Sequence, residues 1–169
     1  QDYTVGHALA ADSKMGPLVD ERQLDKSLGY IALAQQEGAE LAFGGQRLNR
    51  ETRGHYLAPT LFTGTDNAMR INREEMFAPI AAVQRVRDYD EALEKANDTS
   101  FGLTSGICTT SLKQATHFKQ HSAAGIATVN LPTGGMDYHV PFGGKKMSSY
   151  GPREQGQHAR DFYTVTKTA

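Results

Sequence analysis

Two acids, an aromatic ring and a proline follow one another in Glu74-Glu75-Met76-Phe77-Ala78-Pro79-Ile80, directly before an apolar run. A carboxylate at such a strand entrance could accept hydrogen bonds from the vicinal hydroxyls of a ribose while the ring packs on a planar base, with Pro79 stiffening the approach. The same residue types also describe a loop with one surface acid and one core phenylalanine. A second segment, residues 141–156, sets Phe142, Arg153 and Glu154 among glycines 143, 144, 151 and 156. Glycine concentrated in this way marks sharp backbone turns, either in a site-forming loop or in a plain connection.

The other reactive side chains carry less. Cys108, the single cysteine, sits near the end of a predicted strand in Ser105-Gly106-Ile107-Cys108. Burial there would keep the thiol protonated and inert, and the competing reading is a nucleophile assisted by a distant histidine. The buried thiol is expected. His117 and His121 stand at i, i+4 and could offer two ligands to a metal, but no third ligand lies near in sequence. A solvated helix face, and no metal, is expected. Gly144-Lys145 is not a phosphate-cradling loop, because the glycine required five residues earlier is His139, and no G-x-G-x-x-G occurs.

Such residues need a scaffold to position them. Asp20 with Gln23 three residues on resembles a capping box, and Leu24, Leu28 and Ile31 follow at helical spacing until Gly38, which predicts a helix over 21–37. A short apolar segment at 40–43, the pair Gly44-Gly45 and a polar loop to Gly54 suggest a hairpin-type excursion. Pro59 cannot donate to a ladder, so a strand over 56–62 is an edge strand or is broken there.

The spacing then predicts a strand at 80–86, a helix at 89–97 with Leu93 and Ala96 inward, a strand at 103–109, a helix at 112–121 with Ala115 and Phe118 inward, and a strand at 126–129. Parallel strands need helical crossovers, so the three are expected at the centre of an open, mostly parallel twisted α/β sheet with helices on both faces. Ligands of such sheets bind beyond the carboxyl ends of the strands, which singles out the loop 130–144. A helical turn at 157–160 and a last strand at 161–167 complete the pattern.

With 169 residues the chain has room for one domain of about 150 residues. Eighteen Lys plus Arg against nineteen Asp plus Glu leave a formal net charge of −1, which argues against nucleic-acid and anionic-membrane partners. No apolar run approaches the roughly 20 residues of a membrane span. One cysteine and a start without a basic, apolar leader suggest a cytoplasmic setting. The chain opens at Gln1-Asp2 without a methionine, and is expected to begin inside a longer protein.

Five motifs follow in order: Gly16-Pro17-Leu18-Val19-Asp20, Glu74-Glu75-Met76-Phe77-Ala78-Pro79, Phe101-Gly102-Leu103-Thr104-Ser105-Gly106, Gly125-Ile126-Ala127-Thr128-Val129-Asn130 and Pro141-Phe142-Gly143-Gly144-Lys145-Lys146. Together they resemble the C-terminal, catalytic-domain portion of the aldehyde dehydrogenase superfamily over nearly the whole chain. Asp137-Tyr138-His139-Val140 and Gly151-Pro152-Arg153-Glu154 resemble the branch that acts on α-ketoglutaric semialdehyde, also called 2,5-dioxopentanoate. Ala78 stands where the family more usually has glycine, a change small enough to leave the backbone path intact.

The resemblance implies oxidation of an aldehyde to a carboxylate. In the family a cysteine thiolate attacks the aldehyde, an oxyanion site holds the adduct, hydride passes to NAD or NADP, and a glutamate base activates water to hydrolyse the thioester. It implies cofactor-binding roles for Glu75 on the nicotinamide ribose and Phe77 beside the nicotinamide, a substrate-wall role for Phe142, a proton-relay role for Glu154, and a structural ion pair for Arg153. Lys145, Arg153 and Arg160 are cations that could meet a substrate carboxylate.

The family's nucleophilic cysteine, general base, oxyanion asparagine and cofactor domain correspond to sequence upstream of Gln1, and Cys108 matches none of them. Residues 1–160 are therefore expected to be a partial catalytic domain, inactive alone, and 161–169 the start of a C-terminal oligomerisation strand. In the family that strand joins a partner subunit, which implies a homo-oligomer, a dimer or tetramer. A noncatalytic assembly module on the same scaffold is the alternative reading.

Overall fold

A computed structural model describes residues 3–168, so Gln1-Asp2 and the closing Ala169 of the expected terminal strand lie outside the described residues. The chain divides after Arg85 into two compact units, Gln1–Arg85 and Val86–Ala169. That division falls inside the stretch 1–160 read above as one partial domain.

The first unit is organised by α1, Glu21–Gln36, which starts where Asp20 turns extended and its side chain accepts the N–H of Gln23 at 2.7 Å. This satisfies one of the orphan donors of the first turn. Leu24, Ile31 and Ala34 recur at helical spacing and pack with Ala39, Leu57, Phe62 and Ile71 into the core. Each large apolar side chain buried there contributes roughly 1.5–3 kcal/mol. Ser27 is fully buried on the same face, with its hydroxyl donating to the Gln23 carbonyl at 2.6 Å.

A three-stranded sheet covers this core. Its middle strand, β4 (Thr60–Thr63), runs antiparallel to β1 (Glu40–Phe43) and parallel to β5 (Ile80–Ala82), which follows the four-residue helix α2 (Arg70–Arg73). β2 (Arg47–Leu48) pairs instead with β3 (Tyr56–Leu57). The hairpin-type excursion expected over 40–54 is realised by β2 and β3, consecutive antiparallel strands on either side of the polar loop, and not at Gly44-Gly45, whose flanking strands take different partners. Gly44 has φ +78°, and a Cβ there would run into the carbonyl of Pro59, so the chain passes tightly against its neighbour rather than folding back on itself. Pro59 breaks the run 56–62 into β3 and β4, the second of the two alternatives, since β4 is central and not an edge.

In the second unit, α3 (Tyr89–Asn97) is capped by Asp88 and α4 (Leu112–His121) by Ser111, whose side chains accept from Glu91 N and Gln114 N. β6 (Thr104–Ile107) and β7 (Ile126–Val129) lie parallel, with α4 as their crossover. Phe118 and Ile126 are buried. Leu93 is only half-buried and Ala96 is exposed, contrary to the inward face expected for that helix.

The chain is α/β, as the pattern of elements indicates. The expected three-strand parallel array is realised as two parallel pairs, β4 with β5 and β6 with β7. Apolar periodicity identifies strands but not their ladder partners, which are set by non-local contacts.

The terminal strand expected over 161–167 is also corrected. Ala159–Tyr163 forms the short helix α5, preceded by a 3₁₀ turn at Gly156–His158, and the chain then continues without a ladder to Thr168. A strand is defined by its partner, and none of the described residues supplies one there.

Candidate functional site

The loop between α2 and β5 separates its two acids. Glu74 is turned inward to its own unit: Arg70 grips it with Nε at 2.5 Å and Nη2 at 3.0 Å, and the hydroxyl of Tyr30 on α1 donates to it at 2.5 Å. The Arg70 guanidinium, and then the Tyr30 hydroxyl, hold the Glu74 carboxyl down at about 2. The same bond to Glu74 raises the Tyr30 hydroxyl. Glu75, the acid singled out by the resemblance, is exposed. Of the two neighbouring carboxylates, one is consumed by the scaffold and the other is presented.

Phe77 is presented as well. It is 79% exposed and has φ +57°. A bulky residue in the left-handed region carries a cost of roughly 1–3 kcal/mol and persists only where its surroundings fix it. The side-chain amide of Gln23, on the first turn of α1, donates to the carbonyls of Met76 at 3.1 Å and Phe77 at 2.9 Å. Lys26, one turn on, donates to the Glu75 carbonyl at 3.4 Å. Beside the ring lies an apolar cavity of about 560 Å³ lined by Met15, Pro17, Leu18, Leu57, Phe77 and Pro79. An exposed carboxylate, which accepts hydrogen bonds, next to a ring that lines an apolar hollow could meet the hydroxyls of a ribose and an attached planar base. Sequence reasoning missed Gln23 and Lys26. Their signal was the i, i+3 spacing on the predicted helix, which the cap assignment of Gln23 obscured.

Phe142 and Glu154, in the second unit, are brought together by backbone. They exchange both hydrogen bonds, Phe142 N to Glu154 O at 2.7 Å and Glu154 N to Phe142 O at 2.8 Å, and both residues are half-buried. The loop they close is fastened at Gly102, whose carbonyl accepts from Gly125 N at 2.8 Å and Lys145 N at 2.9 Å. Three of the five sequence motifs therefore meet at one peptide. Lys146, at φ +54°, donates its ammonium to the carbonyls of Asn97 and Thr99 at 2.6 and 2.9 Å. Arg153, expected as an ion-pair partner, donates instead to the Gly144 carbonyl at 3.0 Å. Lys145 and Arg160 are exposed.

Cys108, expected to be buried, is exposed. It lies just past Ile107, the last paired residue of β6, in the connection to α4. His117 and His121 stack at 3.8 Å between ring centroids, with His117 Nδ1 sharing a hydrogen bond with the Tyr89 hydroxyl at 2.9 Å and His121 Nδ1 donating to the His117 carbonyl. Among the described residues no group of three or more His, Cys, Asp or Glu is placed to hold a metal ion, and no helix is long and apolar enough to cross a membrane.

The chain is similar to known proteins in both sequence and fold. Residues 1–169 match the sequence model of the aldehyde dehydrogenase family. The chain is 39% identical over 99% of its length to an alpha-ketoglutaric semialdehyde dehydrogenase of Bacillus subtilis, and 46% identical over 93% to an alpha-ketoglutarate semialdehyde dehydrogenase of Haloferax volcanii. It covers 35% and 33% of those two proteins, about one third of each. Its fold is similar to that of HpcC from Thermus thermophilus, with TM-score 0.89 and 38% identity over 96% of this chain and 32% of that one. It is similar also to the indole-3-acetaldehyde dehydrogenase AldA of P. syringae, a structure in complex with NAD+, with TM-score 0.91 and 39% identity over 98% of this chain and 33% of the other. A match along the whole length, at such identity and in both sequence and fold, decides the assignment: the chain belongs to the aldehyde dehydrogenase family.

Proposed function

We propose that the protein carrying this chain is an NAD(P)+-dependent aldehyde dehydrogenase that oxidises α-ketoglutaric semialdehyde to 2-oxoglutarate. The observation that carries this reading is the similarity to relatives named for that substrate, in Bacillus subtilis, Haloferax volcanii and Saccharolobus solfataricus, over 93–99% of the chain. The cofactor, when bound, accepts hydride from the aldehyde carbon.

This chain's own residues position. The exposed Glu75 carboxylate accepts hydrogen bonds from the nicotinamide ribose hydroxyls, and the Phe77 ring packs beside the nicotinamide. The presentation of these two residues, with Glu74 withdrawn into the scaffold, supports the assignment. Phe142 walls the aldehyde path, and Glu154, tied to it across the loop, relays a proton during hydrolysis. The nucleophile and general base are supplied by sequence outside this chain, so the chain alone is inactive. The C-terminal stretch from residue 161 onward contributes to the contact with a partner subunit, giving a homo-oligomer in the cytoplasm.

The test is reduction of NAD+ and NADP+ by the complete natural polypeptide in the presence of an aldehyde, repeated with Glu75→Gln. Aldehyde-dependent reduction that loses cofactor affinity in the variant is expected. A Glu75→Gln enzyme with unchanged kinetics toward both cofactors would remove the role given to Glu75.

A further inference from the structure

Two glycines follow Phe142 directly, so the backbone leaving that residue is conformationally permissive, and the direction of the ring depends on how the two ends of the segment are fastened. One fastening is the bridge to Glu154. The other is the stretch 145–148, which wraps around the turn 97–102 at the end of α3. Lys145 N donates to the Gly102 carbonyl at 2.9 Å, Met147 N to the Ser100 carbonyl at 3.1 Å, and Gly102 N to the Ser148 hydroxyl at 2.9 Å. Among these contacts the Lys146 ammonium donates to the carbonyl of Asn97, the last residue of α3, at 2.6 Å and to that of Thr99 at 2.9 Å. The end of a helix carries its negative partial charge, so a cation is favoured there, and bonds from an ammonium are stronger than neutral ones. Lys146 also differs from its neighbours in conformation. It has φ +54°, where glycine would stand at less cost. What a lysine adds at such a position is its ammonium.

We propose that Lys146 is a positioning residue for the aldehyde path: its ammonium, clamped on the carbonyls of Asn97 and Thr99, fixes the far end of the Gly143-Gly144 link and thereby sets the direction of the Phe142 ring. The inference rests on the substrate-wall role given above to Phe142. Lys146 acts through the loop, so its loss is expected to loosen the wall while leaving cofactor binding alone.

The experiment uses the complete natural polypeptide with Lys146→Gly, Lys146→Arg, Phe142→Ala and the Lys146→Gly/Phe142→Ala pair, reading the KM for aldehyde, the KM for cofactor and the melting temperature. Lys146→Gly removes the ammonium and at the same time relieves the left-handed backbone, so little change in melting temperature is expected. Its aldehyde KM should rise about tenfold with the cofactor KM within about twofold. Lys146→Arg keeps a cationic donor at the end of α3 and should restore most of that loss. The pair should have an aldehyde KM no higher than Phe142→Ala alone, because the two changes act on one contact. An unchanged aldehyde KM in Lys146→Gly, no rescue by Lys146→Arg, additive losses in the pair, or parallel rises in both KM values with a lowered melting temperature would each overturn the inference. An unchanged aldehyde KM in Phe142→Ala would instead overturn the reading of the wall on which it rests.

Discussion

Phe142 and Glu154 face each other across an isolated antiparallel bridge, exchanging backbone hydrogen bonds of 2.7 and 2.8 Å. Neither side chain makes this contact, so the two positions are placed by whatever fixes the loop between and around them. That loop is anchored at Gly102, and it closes only because Gly125 leaves room for the carbonyl of Gly143 and the guanidinium of Arg153.

Gly125→Ala is therefore expected to destabilise the protein by about 2–3 kcal/mol through overpacking, since the added Cβ would lie 2.7 Å from Gly144 Cα. Gly134→Ala, where a Cβ meets nothing within 4 Å, should be nearly neutral. Chemical-denaturation midpoints of the two variants separate the cases, and equal midpoints would contradict the close approach.

Acid sensitivity follows from Glu74. Its carboxyl is lowered from 4.5 to about 2, so its contribution to stability is present in full above the unfolded value of 4.5 and is lost as pH falls toward 2. Glu91, lowered to about 2 first by the Arg87 backbone N–H and then by its side chain, titrates in the same window. Glu74→Gln should thus make the acid limb of a stability–pH curve shallower between 4.5 and 2 without flattening it. A constant offset between wild type and variant across that range would show that the carboxylate contributes nothing by its charge.

The cap of α1 is worth testing because that helix carries both the core and the Gln23 contact. Asp20→Ala removes the acceptor of the Gln23 N–H and should cost about 1 kcal/mol of stability, with Asp20→Asn costing less. Denaturant midpoints check this, and indistinguishable variants would mean that the first turn is held by packing alone.

How much of this was legible beforehand depended on locality. α3, α4 and β7 have the bounds that apolar spacing predicts, and α1 ends one residue early, because periodicity is written within each segment. The partner of β5 was not legible, since Ile80 and Thr60 find each other across a loop of unrelated sequence. The exposure of Cys108 and Ala96 depends on which layer covers them, a fact of tertiary placement that a strand or helix pattern does not carry. At the site, residue types pointed to one of the two adjacent acids, Glu74 or Glu75, and to the ring of Phe77. The choice between the adjacent acids came from the resemblance, and its physical reason, Glu74 gripped by Arg70 and Tyr30, emerged only from the fold. Gln23 was hidden behind its better-known use as a capping partner.

We propose that this chain contributes the cofactor loop and substrate wall of an enzyme for a keto-acid aldehyde. The most direct measurement is kcat/KM of the complete natural polypeptide for α-ketoglutaric semialdehyde beside an aliphatic aldehyde of matched length, with NAD+ and NADP+. Preferential turnover of the keto-acid aldehyde is expected, by at least tenfold if its carboxylate gains even one charge-assisted hydrogen bond. Equal turnover of the two aldehydes would contradict the substrate, and no turnover of either by the folded polypeptide would contradict the enzyme.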